Sequence, residues 1–279
     1  MAPATRENRG VTGFRRYVAI GDSSTEGLMD LGEDGGFRGW ADRLAQHLAD
    51  AQDEPLDYAN LAVRGLHAAE IQTSQLPHAL DLAPDLLSVF AGVNDVISPR
   101  VDFRALEVEL EALFAGAARS GATLVTFTMV DPGAVNPLVR AVRGRVFRLN
   151  RLIRAAALRH GALLVDFEAY PVAVDPRLWS PDRLHNSALG HARIAAALAW
   201  RLGLPGFDGG WSAPLDDPPE AHSVREAVGG DVDWVVHHFT PWLGKAVRHV
   251  PHGRGITAKR PVPTVVPRSD TVSGGTGLS

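Results

Sequence analysis

The chain has 279 residues, 45% of them apolar and 22% charged, which is enough to bury a full core without metal or disulfide staples. Its 28 Lys+Arg against 32 Asp+Glu give a net charge of −4, so no global basic field marks a nucleic-acid binder. The lack of cysteine excludes a disulfide scaffold, thiolate catalysis and Cys-ligated metal sites.

A polar, flexible N-terminus is expected over residues 1–14, with no apolar signal core, and a cytoplasmic location follows as the expectation. Short apolar, β-rich runs come next at residues 17–20, 56–62, 86–91, 123–129 and 163–167. Several are apolar almost throughout, as strands covered on both faces are. Helical patterns lie between them. Residues 40–48 carry apolar side chains at 40, 41, 44, 45 and 48. Residues 103–118 follow Asp102 as N-cap and end near Gly121. Residues 139–159 are Arg-rich on one face and stop at His160-Gly161; residues 187–202 are Ala-rich and stop at Gly203. Five strands alternating with helices predict a parallel sheet in a three-layer α/β/α sandwich over residues 15–204.

Beyond Leu204-Pro205-Gly206 the pattern changes. Residues 207–233 hold the acids Asp208, Asp216, Asp217, Glu220, Glu226, Asp231 and Asp233 against one base, Arg225. Residues 234–269 hold Lys245, Arg248, Arg254, Lys259, Arg260 and Arg268 and no acid, so the two stretches are expected to pair. Val235, Phe239, Trp242, Leu243, Ala246, Val247 and Val250 fall at helical spacing, broken at Thr240-Pro241. Residues 205–252 are therefore read as an extension with apolar helical segments that docks on the catalytic domain. A peripheral membrane contact through its basic and aromatic face is the less favoured reading. Pro, Gly, Ser and Thr dominate residues 253–279, which predicts disorder. Neither His237, His238, His249 and His252 nor the His185/His191 pair has the spacing and acids of a metal site, and no metal or cofactor is expected.

In an open parallel sheet the ligand site lies beyond the carboxyl ends of the strands. There the sequence places residues 21–27 (GDSSTEG), 60–65 (NLAVRG), 92–95 (GVND) and, before the last helix, 182–185 (DRLH). Ser23 offers a nucleophile at a strand-to-turn junction. A serine hydroxyl needs a base, and the imidazole of His185, ordinarily titrating at about pH 6.5, can take its proton and return it to a leaving group. Asp182, three residues earlier, can hold the ring's tautomer. Asn94 and the backbone N–H groups of Gly65 and Ser23 can face the oxygen of a carbonyl under attack. Taken singly, each has a structural explanation as well: Ser23, Asn94 and Asp182 as caps or turn residues, Gly65 as a turn glycine. The joint pattern is what points to chemistry. Asp131 and Pro132 are expected beside the substrate, Phe37, Arg38 and Trp40 on a rim, and Arg64 in solvent.

These four blocks, in this order, resemble those of the SGNH hydrolases, the GDSL-type esterases and lipases. Gly21-Asp22-Ser23 with Gly27, Gly65 with Asn60 ahead of it, Gly92-Val93-Asn94-Asp95, and Asp182 with His185, Ser187, Gly190 and His191 carry the likeness over residues 15–204. Ser24 departs from it, standing where many members have a larger apolar residue. The resemblance implies a flavodoxin-like sheet of order 2-1-3-4-5 and hydrolysis through an acyl-enzyme. Ser23 would be the nucleophile, His185 the base and Asp182 its partner, with Ser23, Gly65 and Asn94 as oxyanion donors. The expected activity is cleavage of small-molecule carboxylic esters of short to medium acyl chain. A lysophospholipase or acyl-thioester hydrolase with the same triad is the alternative, and a non-catalytic binding module a third. No nucleic-acid partner is expected, and the oligomeric state is left open.

Overall fold

The computed structural model describes residues 13–33, 35–216 and 255–269. In chain order they form β1 (Arg16–Gly21), α1 (Ser23–Glu26), α2 (Gly39–Asp50), β2 (Leu56–Asn60), α3 (Ala68–Glu70), a π turn (Ile71–Gln75), α4 (Leu76–Asp81), β3 (Leu86–Phe90), α5 (Val93–Ile97) and α6 (Phe103–Ala118). There follow β4 (Thr123–Phe127), α7 (Pro132–Val135), α8 (Arg143–His160), β5 (Leu163–Val165), α9 (Ala188–Leu202) and β6 (Arg260–Val266). The sheet order is β5-β4-β3-β1-β2-β6. The first five strands are parallel and adopt the expected order 2-1-3-4-5; β6 adds antiparallel to the outer edge of β2.

Alternation along the strands divides the core into two layers. Tyr17, Ala19, Tyr58, Phe90 and Phe127 face α2 and α9, whose Trp40, Leu44, Leu48, Ile194 and Leu198 cover them. Val18, Ile20, Ala59, Leu87 and Val89 face the other way, under Ile71, Leu76, Leu110, Phe114, Leu149 and Ile153. The long helices α2, α6, α8 and α9 thus bury the stripes that a 3.6-residue period predicts. The caps follow suit: Asp102 accepts from the N–H groups of Arg104 and Ala105, and Ser187 from that of Gly190. The long helix starts later than expected, at Arg143, because Pro137 opens a tighter 3₁₀ turn ahead of it. Trp40 is not on a rim: it is fully buried, edge-on to Phe127.

Two other expectations change. Phe14, in the segment expected to be flexible, is buried, with its N–H donating to the side-chain Oε1 of Gln52 at 2.9 Å. Disorder from residue 253 onward does not hold for Arg260–Val266, which is strand β6. Prolines 261 and 263 suit an edge strand, where a missing N–H can face outward. The expected pairing of the acidic stretch with the basic one falls largely outside the described residues; within them Lys259 pairs with Asp42 of α2, and Arg268 with Asp53. The apolar stripe of residues 235–250 and the four histidines there lie outside the described residues.

Between α1 and α2 the chain crosses itself at two glycines. Gly27 and Gly39 have φ of +94° and +74°, and a Cβ on Gly39 would stand 2.3 Å from the Cα of Gly27. This contact wedges the start of α2 against the end of α1. Gly39→Ala meets both a left-handed backbone and a backbone clash, so it should cost on the order of 3 kcal/mol in urea unfolding. A variant as stable as the wild type would mean that the two segments are not held this closely.

Candidate active site

β1 delivers the chain to Gly21, whose N–H and C=O are both taken by the buried side-chain amide of Gln75, at 2.8 and 2.9 Å. Asp22 is then extended and caps α1, its Oδ1 accepting the Ser24 N–H at 3.0 Å, so Ser23 is the first helical residue rather than a cap. From below, the buried Asn60 amide donates to the Thr25 carbonyl at 2.9 Å. Ser23 is therefore presented on a short turn whose backbone is hydrogen-bonded on both sides. Asn60 belongs to the block that carries the family likeness, whereas Gln75 is a supporting position that sequence spacing does not single out; its signal is a polar residue inside an apolar stretch.

The segment before α9 folds into a small hairpin, with a bridge between Trp179 and Asn186 and the Ser180 N–H on the His185 carbonyl at 2.9 Å. Asp182 serves both readings made of it. Its Oδ1 accepts from the N–H groups of Leu184 and His185, at 2.9 and 3.0 Å, and from the Ser180 hydroxyl. Its Oδ2 lies 2.7 Å from Nδ1 of His185, whose Nε2 lies 3.0 Å from Oγ of Ser23. Burial pushes the Asp182 carboxyl up, but the hydrogen bond and charge of His185, aided by Ser180, outweigh it and hold the group far below the usual range. An ionised carboxylate only accepts, so Nδ1 carries the ring proton and Nε2 is free to accept the serine O–H.

Gly65, at φ +80°, and Asn94, in the first turn of α5 after Gly92, complete the set. The N–H groups of Ser23 and Gly65 donate to no protein acceptor among the described residues. Asn94 is engaged: its Nδ2 donates to the Leu66 carbonyl at 2.9 Å and, more weakly, to Asp22 Oδ2 at 3.4 Å. The second contact is long enough to yield to a better acceptor. Burial raises the Asp22 carboxyl to about 6.

Arg64 is not a solvated side chain. Its guanidinium forks onto the buried Glu26, its N–H donates to the same carboxylate at 2.8 Å, and it lies 5.0 Å over the ring of Phe37. Asp131 caps α7 and pairs with Arg143 at 2.9 Å. An apolar cavity beyond β4, bordered by Met129, Leu178, Trp179, Ile194 and Trp211, includes neither Ser23 nor Gly65 nor Asn94 in its lining. A polar one flanks the two segments that carry Gly65 and Asn94, lined by His67, Asp95, Ser98, Arg100, Asp102 and Glu109 among others. Among the described residues no group of three or more His, Cys, Asp or Glu could hold a metal ion, and no helix is long and apolar enough to cross a membrane.

The profile of the GDSL-like lipase/acylhydrolase family matches residues 19–193, which takes in Ser23, Gly65, Asn94, Asp182 and His185. The chain belongs to this family. It is accordingly a carboxylic-ester hydrolase by class. Solved structures share the fold: LAE5, an alpha/beta hydrolase enzyme from the metagenome of Lake Arreo, Spain, is 24% identical over 68% of this chain and 95% of its own, with a TM-score of 0.56. TesA is 22% identical over 68% and 99%, with a TM-score of 0.55. Axe2, an acetylxylan esterase from Geobacillus stearothermophilus, is 18% identical over 72% and 97%, with a TM-score of 0.57. The comparison with curated proteins gave no match.

His191 belongs to the frame of the site. It is buried in the first turns of α9, accepts the Trp40 N–H at Nδ1 (3.1 Å) and donates from Nε2 to the Leu28 carbonyl (3.1 Å), joining α9, α2 and the chain after α1. Burial lowers its pKa to about 4, so it is neutral in the folded protein. The unfolded imidazole takes up a proton near pH 6.5 while the folded one does not, so folding loses stability from about pH 6.5 down to 4, on the order of 3 kcal/mol. Asp22, raised to about 6, acts with the opposite sign in the same window. The test is therefore a difference: the stability advantage of wild type over His191→Gln in urea unfolding should shrink as pH falls from 7.5 to 4.5. A pH-independent difference would sink this assignment.

Proposed function

We propose that the protein is a serine esterase that cleaves carboxylic esters of short to medium acyl chain through an acyl-enzyme. The observation that carries this is the unbroken chain from Ser23 Oγ through the His185 ring to the Asp182 carboxylate, at 3.0 and 2.7 Å. Ser23 attacks the ester carbonyl carbon as its proton passes to Nε2 of His185. The oxygen that becomes negative is met by the N–H groups of Ser23 and Gly65 and by the Asn94 amide, which exchanges its long contact to Asp22 for the oxyanion. Collapse breaks the carbon–oxygen bond of the ester, and the alcohol leaves with the proton from His185. Water then repeats the sequence on the acyl-Ser23 ester, giving the acid and free enzyme.

A short acyl group is supported by two features. The cavity flanking the oxyanion segments is polar, and the lining of the apolar one does not include Ser23. The fold is also shared with an acetylxylan esterase, an enzyme of acetyl esters.

The test is a p-nitrophenyl ester series from acetyl to palmitoyl on wild type and three variants. Turnover should peak at acetyl or butyryl. Ser23→Ala should remove it. Asn94→Ala should lower kcat roughly 10²-fold by taking away one oxyanion donor. Asp182→Asn should lower kcat roughly 10³-fold, because an amide can donate and so stabilises the wrong tautomer. A maximum at long chains would move the substrate to lipids or acyl thioesters. Full activity in Ser23→Ala would overturn the mechanism.

A further inference from the structure

The family match ends at residue 193, and the solved relatives cover about 70% of the chain, yet a segment far beyond residue 193 packs on the chain just ahead of α2. Lys259 stands at the start of β6. Its ammonium group donates to the carbonyl oxygens of Phe37 and Arg38, at 2.8 and 2.7 Å, and pairs with Asp42 in the first turn of α2. Three donors on a compact cation are matched by three acceptors. Burial draws the ammonium toward neutrality, whereas Asp42 and, with a weaker pull, Glu26 favour its charge. The rest of the segment is fixed independently of Lys259: β6 pairs with β2, the Ser269 N–H donates to Asp50, and Arg268 holds Asp53.

What Lys259 grips is not an isolated loop. The Phe37 ring supports the Arg64 guanidinium. Arg64 in turn is bound through its fork and its own N–H to Glu26, the last residue of the α1 turn that Ser23 opens. The next residue after Arg64 is Gly65. One residue past Arg38, Gly39 abuts Gly27, the residue that follows Glu26 and caps the same turn. The carbonyls under Lys259 are thus two contacts from the nucleophile turn and from one oxyanion donor.

We propose that Lys259 is a positioning residue for this active site: the C-terminal segment, an addition to the family domain, clamps residues 37–38 and through Phe37 and Arg64 sets the backbone of Gly65 and the Ser23 turn. Its kinetic consequence rests on the serine-esterase reading; its structural consequence does not.

The test uses the full chain as wild type, Lys259→Met, Lys259→Arg and Arg268→Ala, with steady-state kinetics on the acetyl ester and amide hydrogen exchange by mass spectrometry. Lys259→Met should lower kcat about tenfold with KM within about twofold, since small misplacements of reacting groups act on the chemical step. Exchange should quicken in residues 30–39 and 64–66 and stay unchanged in α6 and α8. Lys259→Arg, which keeps the charge and donors, should recover part of both effects. Arg268→Ala loosens the far end of the segment and should leave kcat and the exchange of residues 64–66 unaltered. Faster exchange confined to residues 255–269, or equal effects of Lys259→Met and Arg268→Ala, would overturn the proposal. Should the wild type turn over no ester, the esterase reading fails while the exchange of residues 64–66 still decides this one.

Discussion

A hydroxyl and an imidazole 162 residues apart in sequence stand 3.0 Å apart in space, and the chemistry has no tolerance for much more. That contact is the constraint around which the molecule is arranged. Parallel strands bring every strand exit to one edge, so Ser23 after β1, Gly65 after β2 and Asn94 after β3 emerge side by side. The hairpin before α9 then hangs His185 over the same edge. A sheet alone fixes such positions only coarsely, because strand exits are loops.

The finer placement comes from polar side chains buried where apolar ones would have packed as well. Gln75 takes both backbone groups of Gly21, Asn60 holds Thr25, and neutral His191 bridges Trp40 and Leu28. Each is at or below 5% exposure, so leaving one group unpaired costs ~1–3 kcal/mol, and the paired state is sharply preferred over its alternatives. Buried amides of this kind add little net stability, but they select one geometry. The π turn that carries Gln75 belongs to the same device: an extra residue in the turn re-aims a side chain toward the end of β1.

The strands and the long helices are legible in the sequence because burial imposes period on them, as the buried positions 40, 41, 44, 45 and 48 of α2 illustrate. The proposed triad and oxyanion donors are legible because the proposed reaction accepts few residue types, and Ser23, Gly65 and Asn94 follow strand ends. The helical stretch at residues 68–81 is not, since its buried apolar positions 68, 71, 76 and 79 skip the regular spacing at the π turn, where the polar Gln75 is buried instead. Arg64 and Phe37 are opaque for another reason. A cation and a ring in adjoining loops carry no local mark of their partners, and Glu26 lies 38 residues from Arg64. For β6 the local signal points the wrong way: its two prolines and the Gly-, Ser- and Thr-rich sequence around it read as disorder, and order comes from the edge of β2 that the segment meets.

That edge explains why such a composition is suitable there. An open outer strand offers unpaired N–H and C=O groups to any passing chain, and β6 covers those of β2. Its own outer side carries Pro261 and Pro263, which cannot donate, so the sheet is capped rather than extended. At the opposite edge Arg201 donates to the Leu164 carbonyl of β5. Residues past α9 are built in as well: Leu204 and Trp211 are buried against the core, with Trp211 edge-on to Phe167. The polypeptide beyond the family match therefore contributes core, edge and a cation at the site's border. A covering strand could follow any solvated residue; one preceded by a lysine bound to the carbonyls beside α2 also couples the closing of the sheet to the shape of the catalytic edge.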